Sequence, residues 1–210
     1  MLVFGVSTLD VTNDAFCRGG YIEKDIQQHY AGWLFYRSSA PGWPLGVTQA
    51  INAPQGVSVA YTDSIPLLAV LCRPLAAALG GTFQYFGWFT LVCFALQGGF
   101  AALLCGLFAE GLAAPLAGSL VFAASPILLE RAFRHTSLGA QWLVLAALYC
   151  YFVCRRQSRF ASRGLFVINI LAVGIHPYFL PMTYAVTLAL LLEYLSLIHI
   201  SEPTRHAQIS

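Results

Sequence analysis

The chain predicts an all-α fold: a polytopic transmembrane helix bundle whose first part is an extracytoplasmic loop region carrying interfacial amphipathic helices. Three observations predict it. Charged residues are 10% of the chain and apolar residues 58%, whereas a soluble domain carries about a quarter charged residues. Mean hydropathy is +0.69. Apolar runs near the length of a crossing, about 20 residues, recur from residue 84 onward. The lipid bilayer is therefore the predicted partner. The formal net charge of +2 gives no footprint for nucleic acid. The cysteines at 17, 72, 93, 105, 150 and 154 stand mostly inside apolar runs with no CxxC pair. They read as buried thiols, not as a disulfide framework or a zinc site.

Residues 1–9 are apolar but too short to span, and they lack the basic start of a signal peptide. They are expected to be the remnant of a first transmembrane helix. Residues 10–83 are rich in Gly, Pro, Asn and Asp and form the extracytoplasmic loop region. Within it, helical spacing of Ile26, Tyr30, Trp33, Leu34 and Arg37 predicts a helix over 25–38. Asp25, Gln28, His29, Gly32 and Tyr36 make its other face, as in an interfacial amphipathic helix. A second helix is expected over about 65–79, capped by Asp63 or Ser64, with Pro66 in its first turn. Arg73 and Pro74 in so short a stretch argue that it lies in the interface and does not cross. Residues 84–194 form the bundle, with apolar segments at 84–108, 112–129, 138–154, 164–180 and 182–194.

Residues 195–210 stand apart. The run 195–205 resembles the translation of a sequencing-library adapter, and 195–210 is expected to be an artefactual tail. His199 and His206 then drop out of consideration. The natural chain is expected to continue beyond Tyr194, and residues 1–210 by themselves are expected to be inactive.

Charge sets the orientation. Arg155, Arg156, Arg159 and Arg163 cluster in one short loop, which the positive-inside rule makes cytoplasmic. Counting crossings from there places Arg131, Arg134, His135, His176 and the loop around Gly80 outside. With residues 65–79 in the interface, Asp25, Gln28, His29 and Asp63 share that side.

These polar residues are the candidate site. Asp25 and His29 are spaced i, i+4, which suits a general base or metal ligand steadied by its neighbour, or a helix-start acid favoured by the dipole. Gln28 joins their face. Asp63 is a site residue or a helix cap. Arg131 and His135, also i, i+4 after Ser125-Pro126, suit a phosphate or snorkel to headgroups. Glu130 and Arg134 read as a surface ion pair. His176, before Pro177 in an apolar segment, is functional or bonds a backbone loosened by the proline. Trp33, Trp43, Tyr85, Trp88 and Trp142 read as belt aromatics.

The ordered set of Asp25, Gln28, His29, Gly32, Trp33 and Arg37, then Trp43-Pro44-Leu45-Gly46 and Tyr61, Asp63 and Pro66, carries a resemblance. Phe83-Gln84-Tyr85-Phe86-Gly87, Ser125-Pro126, Arg131, His135 and His176-Pro177-Tyr178 complete it. Over about residues 5–190 the chain resembles an uncharacterised bacterial polytopic membrane family, a domain of unknown function. That family is similar in layout to the GT-C glycosyltransferases. The resemblance implies an enzyme of the bacterial inner membrane that uses a polyprenyl-phosphate-linked sugar at the extracytoplasmic face. It implies Asp25 as base or metal ligand, with Glu23 nearby and His29 beside it. Arg131 and His135 would hold the lipid phosphate, and Gln28, Asp63 and His176 would line the substrate site. The chain has no tight Asp-Glu or Asp-x-Asp pair. A divalent metal ion is thus the one cofactor the resemblance leaves open. The rival expectation is a non-enzymatic transporter or flippase for lipid-linked glycans, which needs ionisable residues near the bilayer midplane. The interiors of 84–108 and 138–154 hold no charged residue.

Overall fold

The computed structural model describes residues 5–19, 24–79, 81–132, 134–157 and 162–206. It is mostly helical. In chain order the elements are α1 (Lys24–Ser38), β1 (Val47–Thr48), β2 (Val57–Ser58), α2 (Pro66–Leu79), α3 (Phe86–Gly106), α4 (Ala113–Ala123), α5 (Pro126–Arg131), α6 (Trp142–Gln157), α7 (Ser162–Ile175) and α8 (Phe179–His206). Single 3-10 turns stand at Val6–Leu9 and Thr136–Gly139. The two strands form one antiparallel ribbon, with Val47 opposite Ser58 and Thr48 opposite Val57. Glu23, Gly80 and Arg159 lie outside the described residues.

Four stretches of the described residues are long and apolar enough to cross a membrane: Phe86–Gly106, Ala113–Arg131, Thr136–Gln157 and Phe179–Ser196. The first three match the expected segments closely. The expected segment 164–180 does not persist as one helix. Pro177 lacks an amide hydrogen and pushes the residue before it out of the helical region. Helix α7 accordingly stops at Ile175, and α8 starts afresh at Phe179. With 14 residues, α7 is roughly 21 Å long, short of the about 30 Å hydrocarbon core. Helix α2 is equally short, and Leu67 near its start packs against Gly174 of α7. Helix α8 runs unbroken through the tail set aside by the sequence reading, as far as His206.

Small residues let helices approach where lipid offers no hydrophobic drive. A Cβ on Gly118 of α4 would fall 2.5 Å from the sulfur of Cys105 on α3. The thiols of Cys17, Cys93 and Cys154 are buried and unbridged, as read from their apolar surroundings.

Helix α1 begins and ends where its periodicity predicts, but it is not an interfacial amphipathic helix. Ile26, Tyr30 and Trp33 are buried on one face, and His29, Gly32 and Tyr36 are buried on the other. Only a strip including Gln27, Gln28, Phe35 and Ser38 is exposed. Both faces find protein partners, so α1 is an internal strut. Trp33 is 0% exposed, and its indole N–H donates to the Phe83 carbonyl at 2.8 Å. Trp142 is buried and stacks on Phe100. Buried Tyr85 donates its hydroxyl to the Ser64 carbonyl. The belt reading therefore fails for Trp33, Tyr85 and Trp142, whose polar handles serve internal contacts or lie buried. Trp43 and Trp88 are exposed.

The loop region is tied to the helices by buried polar contacts. The amide nitrogen of Gln84 donates to the carbonyls of Thr8 and Asp10 at 3.1 and 2.9 Å. Arg73 lays its guanidinium over the Tyr36 ring at 4.5 Å and donates to the Ser39 carbonyl. It thus leaves α2 sideways, toward α1, instead of lying along a lipid face.

Candidate functional site

Five of the seven predicted site residues meet at one end of the helices. Asp25 and His29 come from the first turns of α1. Asp63 comes from the loop before α2, His135 from the start of the 3-10 turn Thr136–Gly139, and His176 from the break between α7 and α8.

The loop from Thr62 to Ile65 is what carries Asp63 there. Asp63 and Ile65 both adopt positive φ, 53° and 54°. Asp tolerates this left-handed conformation, whereas β-branched Ile does so only when its surroundings hold it. Ile65 is fully buried. The Ser64 hydroxyl donates to the His29 carbonyl at 2.7 Å and shares a 2.7 Å hydrogen bond with Thr62. This loop lies directly on α1 at Gly32. A Cβ there would stand 2.2 Å from the Thr62 hydroxyl oxygen and 2.5 Å from that of Ser64. Asp63 is thereby turned away from α2: among the described residues neither it nor Ser64 caps that helix, and the capping alternative is corrected.

Two carboxylate–imidazole pairs organise the site. Asp63 Oδ1 is 3.0 Å from Nε2 of His176. The Tyr178 amide donates to Nδ1 of the same ring at 3.2 Å. Nδ1 is thus the acceptor, and Nε2 carries the proton that faces Asp63. His176 thus bonds the backbone just beyond Pro177, as one of its two sequence readings expected, and also faces Asp63 in the cluster. That hydrogen bond, against the opposing effect of burial, holds the Asp63 carboxyl below its ordinary range. In the second pair, Nε2 of His135 lies 2.9 Å from Asp25 Oδ2, with side chains 34% and 41% exposed.

His29 sits between the pairs and is 1% exposed. Its Nε2 is 3.9 Å from Asp63 Oδ2, too far for a hydrogen bond. Its Nδ1 is buried without a partner among the described residues. Burial pushes its pKa down to about 4, so the ring is neutral at neutral pH. The rings of His29 and His135 are 5.7 Å apart. One ligand-capable atom from each of His29, Asp63 and His135 lies within 4.8 Å of the others.

Two predicted residues are not drawn in. Gln28 is exposed on α1 and makes no side-chain hydrogen bond among the described residues. Arg131 ends α5, and the chain leaves the helix at Ala132. His135 starts a separate 3-10 turn. The two are therefore not i, i+4 neighbours on one helix, because the helix is too short to include both. The Glu130–Arg134 ion pair is present at 2.6 Å. Sequence reasoning missed the supporting shelf of Gly32, Thr62 and Ser64. Its one local signal is small residues placed beside His29 and Asp63.

A family model described as a domain of unknown function, DUF6311, matches residues 1–206. The chain belongs to this family. The match includes every residue of the cluster and extends through 195–206. Comparisons with curated proteins and with solved structures return no match.

Proposed function

We propose that the chain is a GT-C-like membrane glycosyltransferase that uses a polyprenyl-phosphate-linked sugar at the extracytoplasmic face of the bacterial inner membrane. The observation that carries this reading is the convergence of Asp25, His29, Asp63, His135 and His176 at one end of the apolar helices. The spans Thr136–Gln157 and Phe179–Ser196 both begin beside the cluster, and α7 ends there. A surface-facing site of this kind favours transfer over a path through the bilayer, which would need ionisable groups at the midplane.

In the proposed reaction an acceptor hydroxyl attacks the anomeric carbon of the donor. The new C–O bond forms as the bond to the phosphate oxygen breaks, and the phosphate leaves with that electron pair. Oδ1 of Asp25 takes the hydroxyl proton. Oδ2 is already engaged by His135, which fixes the carboxylate. Arg131, at the end of α5 outside the cluster and without an ion-pair partner among the described residues, is the cation proposed for the leaving phosphate. Gln28, exposed on α1, is available to the sugar. An apolar groove of about 810 Å³ lined by Leu67, Ile170, Val173, Leu180 and Tyr184 runs along α7 and α8. Its chemistry suits an isoprenoid chain.

The test is transfer in membranes carrying the full-length protein, using labelled polyprenyl-phosphate sugars. Loss of a general base costs about 10²- to 10⁴-fold, so Asp25→Asn should fall by at least 100-fold. Equal transfer by Asp25→Asn removes the base assignment. Absence of transfer by the wild-type full-length protein with every donor removes the reading itself.

A further inference from the structure

We propose that His29, Asp63 and His135 bind one divalent transition-metal ion of the zinc type, with His176 and Asp25 as the hydrogen-bonded groups that orient the ligands. The proposal stands on geometry and is independent of glycosyl transfer.

Three facts point to an ion. The first is the donor set. Two imidazoles and one carboxylate have their ligand-capable atoms within 4.8 Å of one another. Around a tetrahedral ion with bonds of about 2.0–2.1 Å, donor atoms stand roughly 3.3 Å apart. Side-chain rotation of that order closes the set. Two nitrogens and one oxygen match catalytic zinc sites and the two-histidine, one-carboxylate iron sites, which keep a position open. Magnesium and calcium prefer oxygen alone.

The second fact is His29. It is 1% exposed, and neither ring nitrogen has a hydrogen bond among the described residues. A buried polar group without a partner is costly and needs an explanation. Its ring is aimed into the cluster, within 3.9 Å of Asp63 Oδ2. A metal bond at Nε2, the ring nitrogen that faces Asp63, would give this ring the partner it lacks there.

The third fact is the outer layer. Ligating histidines characteristically donate their other N–H to a carboxylate, and ligating carboxylates are themselves hydrogen-bonded. Here Asp25 holds Nε2 of His135 at 2.9 Å, leaving the lone pair at Nδ1. His176 holds Oδ1 of Asp63 at 3.0 Å, leaving Oδ2 free for an ion. Two of the three proposed ligands thus already have the partner a metal ligand has.

The experiment is zinc binding by the full chain, purified in detergent, stripped with chelator and titrated with Zn²⁺ against a chromophoric competitor. One equivalent per chain is expected, with magnesium failing to compete at a hundredfold excess. Asp63→Asn and His135→Gln should each weaken binding at least 100-fold. Asp25→Asn should weaken it about 10- to 100-fold by loosening His135. His135 is one-third exposed and Asn tolerates positive φ, so both ligand variants are expected to keep the fold. Circular dichroism and gel filtration verify this. If Asp63→Asn unfolds, His135→Gln alone decides. Co²⁺ in place of zinc should give visible bands of a nitrogen- and oxygen-bound ion. Substoichiometric zinc, or affinity unchanged in His135→Gln, overturns the proposal. Metal affinity is read without a sugar donor, so its failure and the failure of the transferase reading are separate results.

Discussion

His176 Nε2 stands 3.0 Å from Asp63 Oδ1 and joins the chain break between α7 and α8 to the loop before α2. The Tyr178 amide on its other nitrogen sets the tautomer, so the contact is a directed N–H donation. His176→Leu should remove the hydrogen bond of a half-buried carboxylate and cost about 2 kcal/mol. Thermal unfolding in detergent measures it. The double variant with Asp63→Asn should cost clearly less than the sum of the singles, since the two side chains share one interaction. Strict additivity would show that the pair is not coupled.

Gly32 is the point where α1 touches the Asp63 loop. A methyl group there meets the hydroxyls of Thr62 and Ser64 at 2.2 and 2.5 Å. Gly32→Ala should push the loop outward at a cost of about 1–3 kcal/mol. Because Asp63 lies between those two residues, the same variant should also weaken zinc binding without altering any ligand. Unchanged stability and affinity would mean that the loop yields freely.

Asp14 tests the packing of the loop region. Its carboxylate accepts the Tyr30 hydroxyl at 2.7 Å and the Arg18 guanidinium at 2.6 Å. Burial alone would raise its pKa, but these two donors more than offset it and hold it below 3.8. The folded value is thus depressed. The stabilisation is present above the ordinary value and is lost as pH falls through the folded one. Tyr30→Phe should destabilise by about 1.5 kcal/mol near neutral pH. The gap between variant and wild type should narrow below pH 3.8. A gap that is constant from pH 7 to pH 3 would count against the charged hydrogen bond.

Sidedness can be read at Trp43, which is 87% exposed. Trp43→Cys, in a chain whose native cysteines are replaced by serine or alanine, should react with a membrane-impermeant maleimide in cells whose outer membrane is permeabilised. A cysteine at exposed Arg156, in the last turn of α6, should react only after lysis. The reverse pattern would put the cluster in the cytoplasm and remove the extracytoplasmic assignment.

Local pattern made some features legible. Helical spacing from Ile26 to Arg37 located α1 to within a residue, since periodicity is a property of neighbouring positions. The residue types that form the cluster were also readable. Asp25, His29, Asp63, His135 and His176 are ionisable groups in a chain with few of them. Environment was not legible. The same spacing that delimited α1 suggested a wet face, yet His29, Gly32 and Tyr36 are buried. Burial depends on what packs from elsewhere, here the Thr62–Ser64 loop over Gly32.

The sequence by itself determined the apolar spans and the short list of ionisable residues available for chemistry. These follow from composition and helical period, both of which act over a few residues. Only the tertiary structure decided that Asp25 takes His135, that Asp63 takes His176, and that His29 lies between them without a hydrogen-bond partner among the described residues. The i, i+4 spacing favoured Asp25 with His29. In the fold Asp25 engages His135 from the turn at Thr136–Gly139, and Asp63 stands closer to His176, from the break after α7, than to His29 on α1.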